Sequence, residues 1–166
     1  MYQIPSYIHI KTNHCQQIME HIFESISNLI RKSSGEEYAN EVNLLAMETK
    51  MAFANLLERR EYPKGAVIKV PGKPASEVYI VKKGLLCNTM LNDGKEIGAG
   101  FYAEGSIGGD IISFLTRLPS KRTSRLLEPG ILWVIDSKKL EAFYVAYPAA
   151  QKTGRLLYNY VIYIQQ

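Results

Sequence analysis

From residue 58 onward the chain is cut into short apolar segments by glycine and proline turns, at intervals of about eight to ten residues, and this cadence leaves few folds open. Glu58 to Tyr62 is a strand candidate closed by Pro63-Lys64-Gly65, and Val67 to Val70 is another closed by Pro71-Gly72-Lys73-Pro74. Glu77 to Lys82 (EVYIVK) is rich in β-branched and aromatic residues and stops at Lys83-Gly84. Leu85 to Leu91 pairs with Glu96 to Phe101 across Asn92-Asp93-Gly94-Lys95, because an Asp-Gly pair tolerates the positive φ of a tight hairpin. Ile131 to Asp136 resumes the series after Pro129-Gly130. Short, evenly spaced, turn-separated strands predict a mainly β domain with flanking helices, built as an antiparallel β-roll or jelly roll, the double-stranded β-helix.

The flanks read as helix. Apolar residues at Ile18, Ile22, Ile26 and Leu29 or Ile30, widened by Met19 and Phe23, predict an amphipathic helix with Thr12 or Asn13 as its N-cap and a stop at Lys32-Ser33-Ser34-Gly35. A second helix is predicted from Glu36 or Glu37 to about Leu57, burying Leu44, Met47, Met51 and Ala54. At the other end, Asp136 or Ser137 can cap a helix ending near Tyr147, and Pro148 suits the first position of a last helix. That helix carries Leu156, Leu157, Tyr160, Val161, Tyr163 and Ile164 beside Thr153, a band wider than one contact needs, which predicts one face on the roll and another on a partner, most simply a second copy. The expected organisation is an N-terminal helical pair in residues 1–57, a roll in 58–147 and a C-terminal dimerisation helix in 148–166.

One stretch interrupts the strands: Gly105 to Gly130, GSIGGDIISFLTRLPSKRTSRLLEPG. It opens on Gly105, Gly108 and Gly109, passes an apolar turn at Ile111, Ile112, Phe114 and Leu115, and ends on Lys121, Arg122 and Arg125 with Thr123 and Ser124 between them. Glycines let backbone N–H groups approach a ligand, a short helix offers unpaired donors, and a returning arginine can grip a phosphate with two hydrogen bonds, so this order predicts an anion pocket.

Charge and composition narrow the classes. Residues 1–58 carry four Lys/Arg against seven Asp/Glu, net −3, and the remainder carries net +7, giving the overall +4. The positive excess is scattered, without the stripe or aromatic interleaving of a nucleic-acid groove binder, so direct DNA contact by these residues is not expected. No apolar run approaches the ~20 residues needed to cross a bilayer and the start has no secretory apolar block, so the expected location is the cytoplasm, away from membranes. Cys15 and Cys87 are far apart and read as ordinary thiols. His9, His14 and His21 all precede the roll, so a cupin-type metal enzyme, which needs histidines on the strands, is the weaker alternative.

In order, Tyr62-Pro63-Lys64-Gly65, the strand from Val78 to Gly84 and the hairpin from Leu91 to Glu96 resemble the "Y-x-K-G" turn, the "Y-x-I-x-x-G" strand and the "D-G-K-E" hairpin of the cyclic-nucleotide-binding domain of Crp-Fnr type bacterial regulators. The resemblance covers about Glu58 to Gln166. It implies a phosphate-binding cassette, in which a Gly-Glu pair holds a ribose hydroxyl and an Arg-Ser/Thr-Ala triplet grips the cyclic phosphate. The pair falls on Gly109-Asp110 and the triplet on Arg122-Thr123-Ser124. Three departures stand out: Asp110 is a methylene shorter than glutamate, Ser124 replaces a small apolar residue, and the interval is longer by a couple of residues around Thr116 to Ser120.

The resemblance implies a non-catalytic sensor of cyclic AMP, another cyclic nucleotide or another small anion. Gly108, Gly109, Asp110, Arg122, Thr123 and Ser124 would form the site, Arg155, Tyr158 and Asn159 on the last helix would read the rest of the ligand, and that helix would signal within a homodimer. The family's helix-turn-helix would start near Gln166, where this sequence stops, so DNA enters only through a reader beyond it. The alternative in the interaction class is a ligand-free structural or dimerisation domain whose cassette has degenerated.

Overall fold

The computed structural model describes residues 6–164, with side chains described from 16 to 159 except 18, and at 162. Three helices lead: α1 (Ser6–Ser34), α2 (Glu36–Asn43) and α3 (Met47–Leu56). The strands β1 (Glu58–Tyr62), β2 (Val67–Lys69), β3 (Glu77–Lys83), β4 (Leu86–Asn92), β5 (Lys95–Tyr102) and β6 (Ile107–Gly108) follow. Then come the short helix α4 (Ile111–Thr116), β7 (Arg122–Leu126), β8 (Gly130–Asp136), α5 (Ser137–Ala146) and α6 (Ala150–Ile164). The strands form two antiparallel four-stranded sheets, ordered β1-β8-β3-β6 and β2-β7-β4-β5, which face each other as the expected roll.

Strand alternation explains the two cores. On β3 and β8, Tyr79, Val81, Leu132 and Val134 point into the roll, where they meet Leu86, Tyr102 and Leu126. Their neighbours Val78, Ile80, Trp133 and Ile135 point the other way and are covered by Ile22, Ile26, Ile30, Phe114, Leu140 and Phe143 of the helices. A strand buried on both faces reads as a continuous apolar run, which is why EVYIVK shows no polar alternation. Gly84, which ends that run, has φ +91°, and a Cβ there would lie 2.9 Å from the Pro129 carbonyl oxygen. Both the backbone sign and the neighbouring turn require glycine there.

The helical flanks depart from expectation in three places. α1 runs through Thr12 and Asn13, so neither is its N-cap; a cap residue stabilises a helix end by about 1 kcal/mol but does not impose one. The predicted second helix is two, because Ala46 is extended (φ −55°, ψ 142°) and restarts the helical phase at Met47. Of the predicted buried stripe only Ala54 is buried: Leu44, Met47 and Met51 are 81%, 57% and 45% exposed, while Val42 and Thr49, outside that stripe, are buried. Phe53 anchors α3 by stacking edge-on to Phe23 of α1 and Phe143 of α5. Third, α6 packs against α1 of the same chain, with Lys152 paired to Glu41 of α2, a contact that the sequence did not announce; the side chains of Tyr160, Val161, Tyr163 and Ile164 lie outside the described residues, and Ile162 is 41% exposed. α6 also begins at Ala150, after Pro148, whose carbonyl accepts from the Gln151 N–H. The cap of α5 is as predicted: Asp136 Oδ1 accepts the N–H of Lys138 and of Lys139, each at 3.0 Å.

Gly154 lets α5 and α6 close. A Cβ there would sit 2.1 Å from the Tyr144 hydroxyl and 2.7 Å from its ring carbon, and burial with a hydrogen bond to Tyr158 holds that phenol protonated. Alanine in a helix interior ordinarily gains about 1 kcal/mol over glycine, yet overpacking here costs about 1–3 kcal/mol. Gly154→Ala is expected to lose up to about 2 kcal/mol in urea denaturation, the clash offsetting the propensity gain; a gain would show that Tyr144 yields freely.

Candidate functional site

The site grows from the end of β6. Gly108 pairs with Tyr79 of β3 and lies beneath Tyr102, so close that a Cβ would be 2.8 Å from the tyrosine ring and 2.9 Å from Leu86. Gly109 turns the chain at φ +105° and delivers Asp110 to the start of α4. There Asp110 is the N-cap, its Oδ1 accepting the Ser113 N–H at 3.2 Å, while its Oδ2 accepts the Ser120 hydroxyl. Asp110, Ser113 and Ser120 are all buried. Ser113 in turn donates to the Leu118 carbonyl at 2.6 Å and accepts from the Ala75 N–H at 2.9 Å. These bonds tie α4, the β2–β3 loop and the approach to β7 into one polar unit, as buried polar groups require.

On β7 the alternation divides the expected triplet. Ser124 and Leu126 are fully buried and face into the roll, and Arg122 shares their face, opposite Met90 of β4. Thr123 lies opposite Thr89 on the outer face, so the structure does not bring it to the arginine's side of the sheet. Ser124 donates to Asn88 Oδ1 at 2.7 Å, and Asn88 Nδ2 donates to the Gly109 carbonyl at 2.9 Å and to the Tyr102 hydroxyl at 3.4 Å. Asn88 is thus the buried link between the glycine turn and the basic return.

Lys69 brings the second cation. Its ammonium lies 3.4 Å from the Arg122 carbonyl; burial pushes its pKa below the usual lysine range, the Asp110 carboxylate opposes that shift, and the Arg122 charge adds to it. Two cations therefore stand at the mouth of the roll over one carboxylate that is already hydrogen-bonded. A cavity of about 290 Å³ opens beside Lys69 and is lined by Lys73, Ser76, Glu77 and Tyr79 among others.

The helical part of the predicted site stands elsewhere. Arg155 and Asn159 are exposed on α6, and the Tyr158 phenol is hydrogen-bonded to Tyr144, with Arg117 and Glu141 as the charges acting on it. α6 meets α4 rather than β7: Ile111 and Phe114 share an apolar pocket with Leu157 and Tyr158. Of the predicted residues, then, Gly108, Gly109, Asp110, Arg122 and Ser124 converge, while Thr123, Arg155, Tyr158 and Asn159 lie apart from them.

Lys69, Asn88, Ser113 and Ser120 were not read from the sequence. Two signals were available: Asp110-x-x-Ser113 is the spacing of a helix cap, and Asn88 sits at an inward position between Leu86 and Met90. Of the metal alternative, His21 is exposed, the side chains of His9, His14 and Cys15 lie outside the described residues, and among the described residues no three His, Cys, Asp or Glu side chains gather to hold an ion. Cys87 is a buried strand thiol whose pKa burial raises. Among the described residues no helix is long and apolar enough to cross a membrane.

Residues 59–147 match the cyclic nucleotide-binding domain family. The global nitrogen regulator of Synechococcus elongatus is 34% identical over 86 residues, 51% of this chain and 38% of that protein, so the chain spans well under half of that relative. The Thermus thermophilus catabolite activator protein superposes with a TM-score of 0.59 at 22% identity, covering 68% of this chain and 53% of that one. A cyclic nucleotide-binding domain from Methylobacillus flagellatus does so with a TM-score of 0.63 at 15% identity, covering 84% and 74%. At such identities the two structures establish the fold and nothing finer. With more than half of its residues inside the family match, and the roll, hairpin and cassette turn in the expected order, the chain belongs to the cyclic nucleotide-binding domain family.

Proposed function

We propose that the chain is a non-catalytic sensing module whose roll takes a small phosphate-bearing anion, a cyclic nucleotide or a simpler one, at Arg122 and Lys69. The observation that carries this reading is the pairing of two cations, Arg122 on the inner face of β7 and Lys69, whose ammonium reaches the Arg122 carbonyl and which itself lines a cavity of about 290 Å³. Charge-assisted hydrogen bonds from an arginine fork contribute about 1.5–3 kcal/mol each at a partly desolvated site, enough to hold a phosphate. The signal has a physical route: α4 is capped by Asp110 beneath that mouth, and its other side packs on α6. A ligand that draws on the charge balance around Asp110 would move α4 against α6 by as much as its affinity differs between the two arrangements.

The test is isothermal titration of the refolded full chain with orthophosphate, cyclic AMP and cyclic GMP, repeated on Arg122→Ala. Binding in the micromolar to millimolar range that weakens at least tenfold in Arg122→Ala is expected. Silence toward all three ligands would instead favour the ligand-free structural reading, for which the filling of the roll interior by Tyr79 and Tyr102 is the supporting observation.

A further inference from the structure

The stretch from Thr116 to Ser120, which lengthens the interval before the basic return, ends in a residue placed with unusual care. Ser120 is 4% exposed and held from three directions. Its N–H donates to the Lys73 carbonyl at 3.1 Å, its own carbonyl accepts the Gly72 N–H at 2.9 Å, and Pro119 bridges to Pro74. Its hydroxyl accepts the Arg122 N–H at 3.0 Å and gives its only proton to Asp110 Oδ2. The other Asp110 oxygen accepts the Ser113 N–H, and the carboxylate is 5% exposed, so no face of it is open to an incoming hydroxyl.

Above the glycine turn the space is occupied as well. Tyr102 lies across both Gly100 and Gly108: a Cβ on the former would be 2.7 Å from its hydroxyl and on the latter 2.8 Å from its ring. Arg122 and Lys69 are only half-buried, whereas the carboxylate beneath them is enclosed.

We infer that Ser120 is a specificity-determining residue: its hydroxyl occupies Asp110 where a ligand's sugar hydroxyl would have to bind, so the site accepts a phosphate group without reading a ribose. This rests on the reading that Arg122 and Lys69 hold an anion. The class of ligand it selects is one recognised by its phosphate alone, and a cyclic nucleotide enters with its 2′-hydroxyl ignored.

The experiment compares orthophosphate, cyclic AMP and 2′-deoxy cyclic AMP on the full chain and on Ser120→Ala, with Ser120→Cys as a near-isosteric second variant should the alanine protein not fold. In the wild type, orthophosphate binds and the two nucleotides differ by less than twofold, or neither binds. In a folded Ser120 variant, the freed carboxylate should raise cyclic AMP affinity at least tenfold over its 2′-deoxy analogue. A wild-type preference of tenfold for the ribose form, or an unchanged ratio in both variants, overturns the role of Ser120 while phosphate binding leaves the sensing reading standing. Failure of orthophosphate and both nucleotides to bind any form overturns the two together.

Discussion

Asp110→Ala is expected to lower the stability of the folded chain by about 2–4 kcal/mol, even with no ligand present. Removing an N-cap costs about 1 kcal/mol, and stranding the buried Ser120 hydroxyl and Ser113 N–H costs about 1–3 kcal/mol more, because both donate to this carboxylate. For a chain of 166 residues that corresponds to a fall in melting temperature on the order of 5–15 °C, readable by calorimetry. Asp110→Asn keeps an oxygen for the cap and should lose about half as much. A carboxylate kept only to meet a ligand behaves oppositely, since burying it without partners is unfavourable and its removal is neutral or stabilising. An alanine variant within about 0.5 kcal/mol of wild type, the size of an ordinary surface substitution, would therefore refute the structural role assigned to Asp110.

The same residue shows how far the sequence could be read. The Asp-Gly hairpin, the EVYIVK strand and the Asp136 cap were all legible, because each is decided by residues within one turn of chain: positive φ at Asp93 and Gly94, β-branched packing, a side chain reaching two N–H groups. Asp110 was legible as a carboxylate after a glycine turn. Its partner Ser120 was not, since that pairing depends on how the β2–β3 loop grips Ser120 from both sides. The methionine stripe failed for a similar reason. The chain breaks the helix at Ala46, and Phe53 packs α3 against Phe23 and Phe143, thirty and ninety positions away from it. Likewise the apolar face of α6 was legible, but only the tertiary structure shows that α1, from the far end of the chain, packs against this helix. Periodicity reports that a face is buried and is silent on what buries it.

The second large effect is expected at Asn88, which no motif marks. Its amide holds the Gly109 carbonyl and accepts the Ser124 hydroxyl, all within the fully enclosed interior. Asn88→Ala removes both partners at once and leaves a carbonyl and a hydroxyl unpaired, each costing about 1–3 kcal/mol, so a loss of about 2–6 kcal/mol in chemical denaturation is predicted. Ser124→Ala alone strands only the asparagine oxygen and should cost about 1–2 kcal/mol. In the double variant the Ser124 contribution disappears, and the combined loss should fall short of the sum by about 1 kcal/mol, the coupling expected of contacting residues. Function should follow in the same direction. With Asn88 gone, the side-chain hydrogen bonds that tie the glycine turn to Ser124 of β7 are lost, so anion binding at Arg122 should weaken in Asn88→Ala although no ligand-facing charge has changed. Strict additivity of the two stability losses, with binding undiminished, would mean that the turn is positioned by its own backbone and by Tyr79 alone.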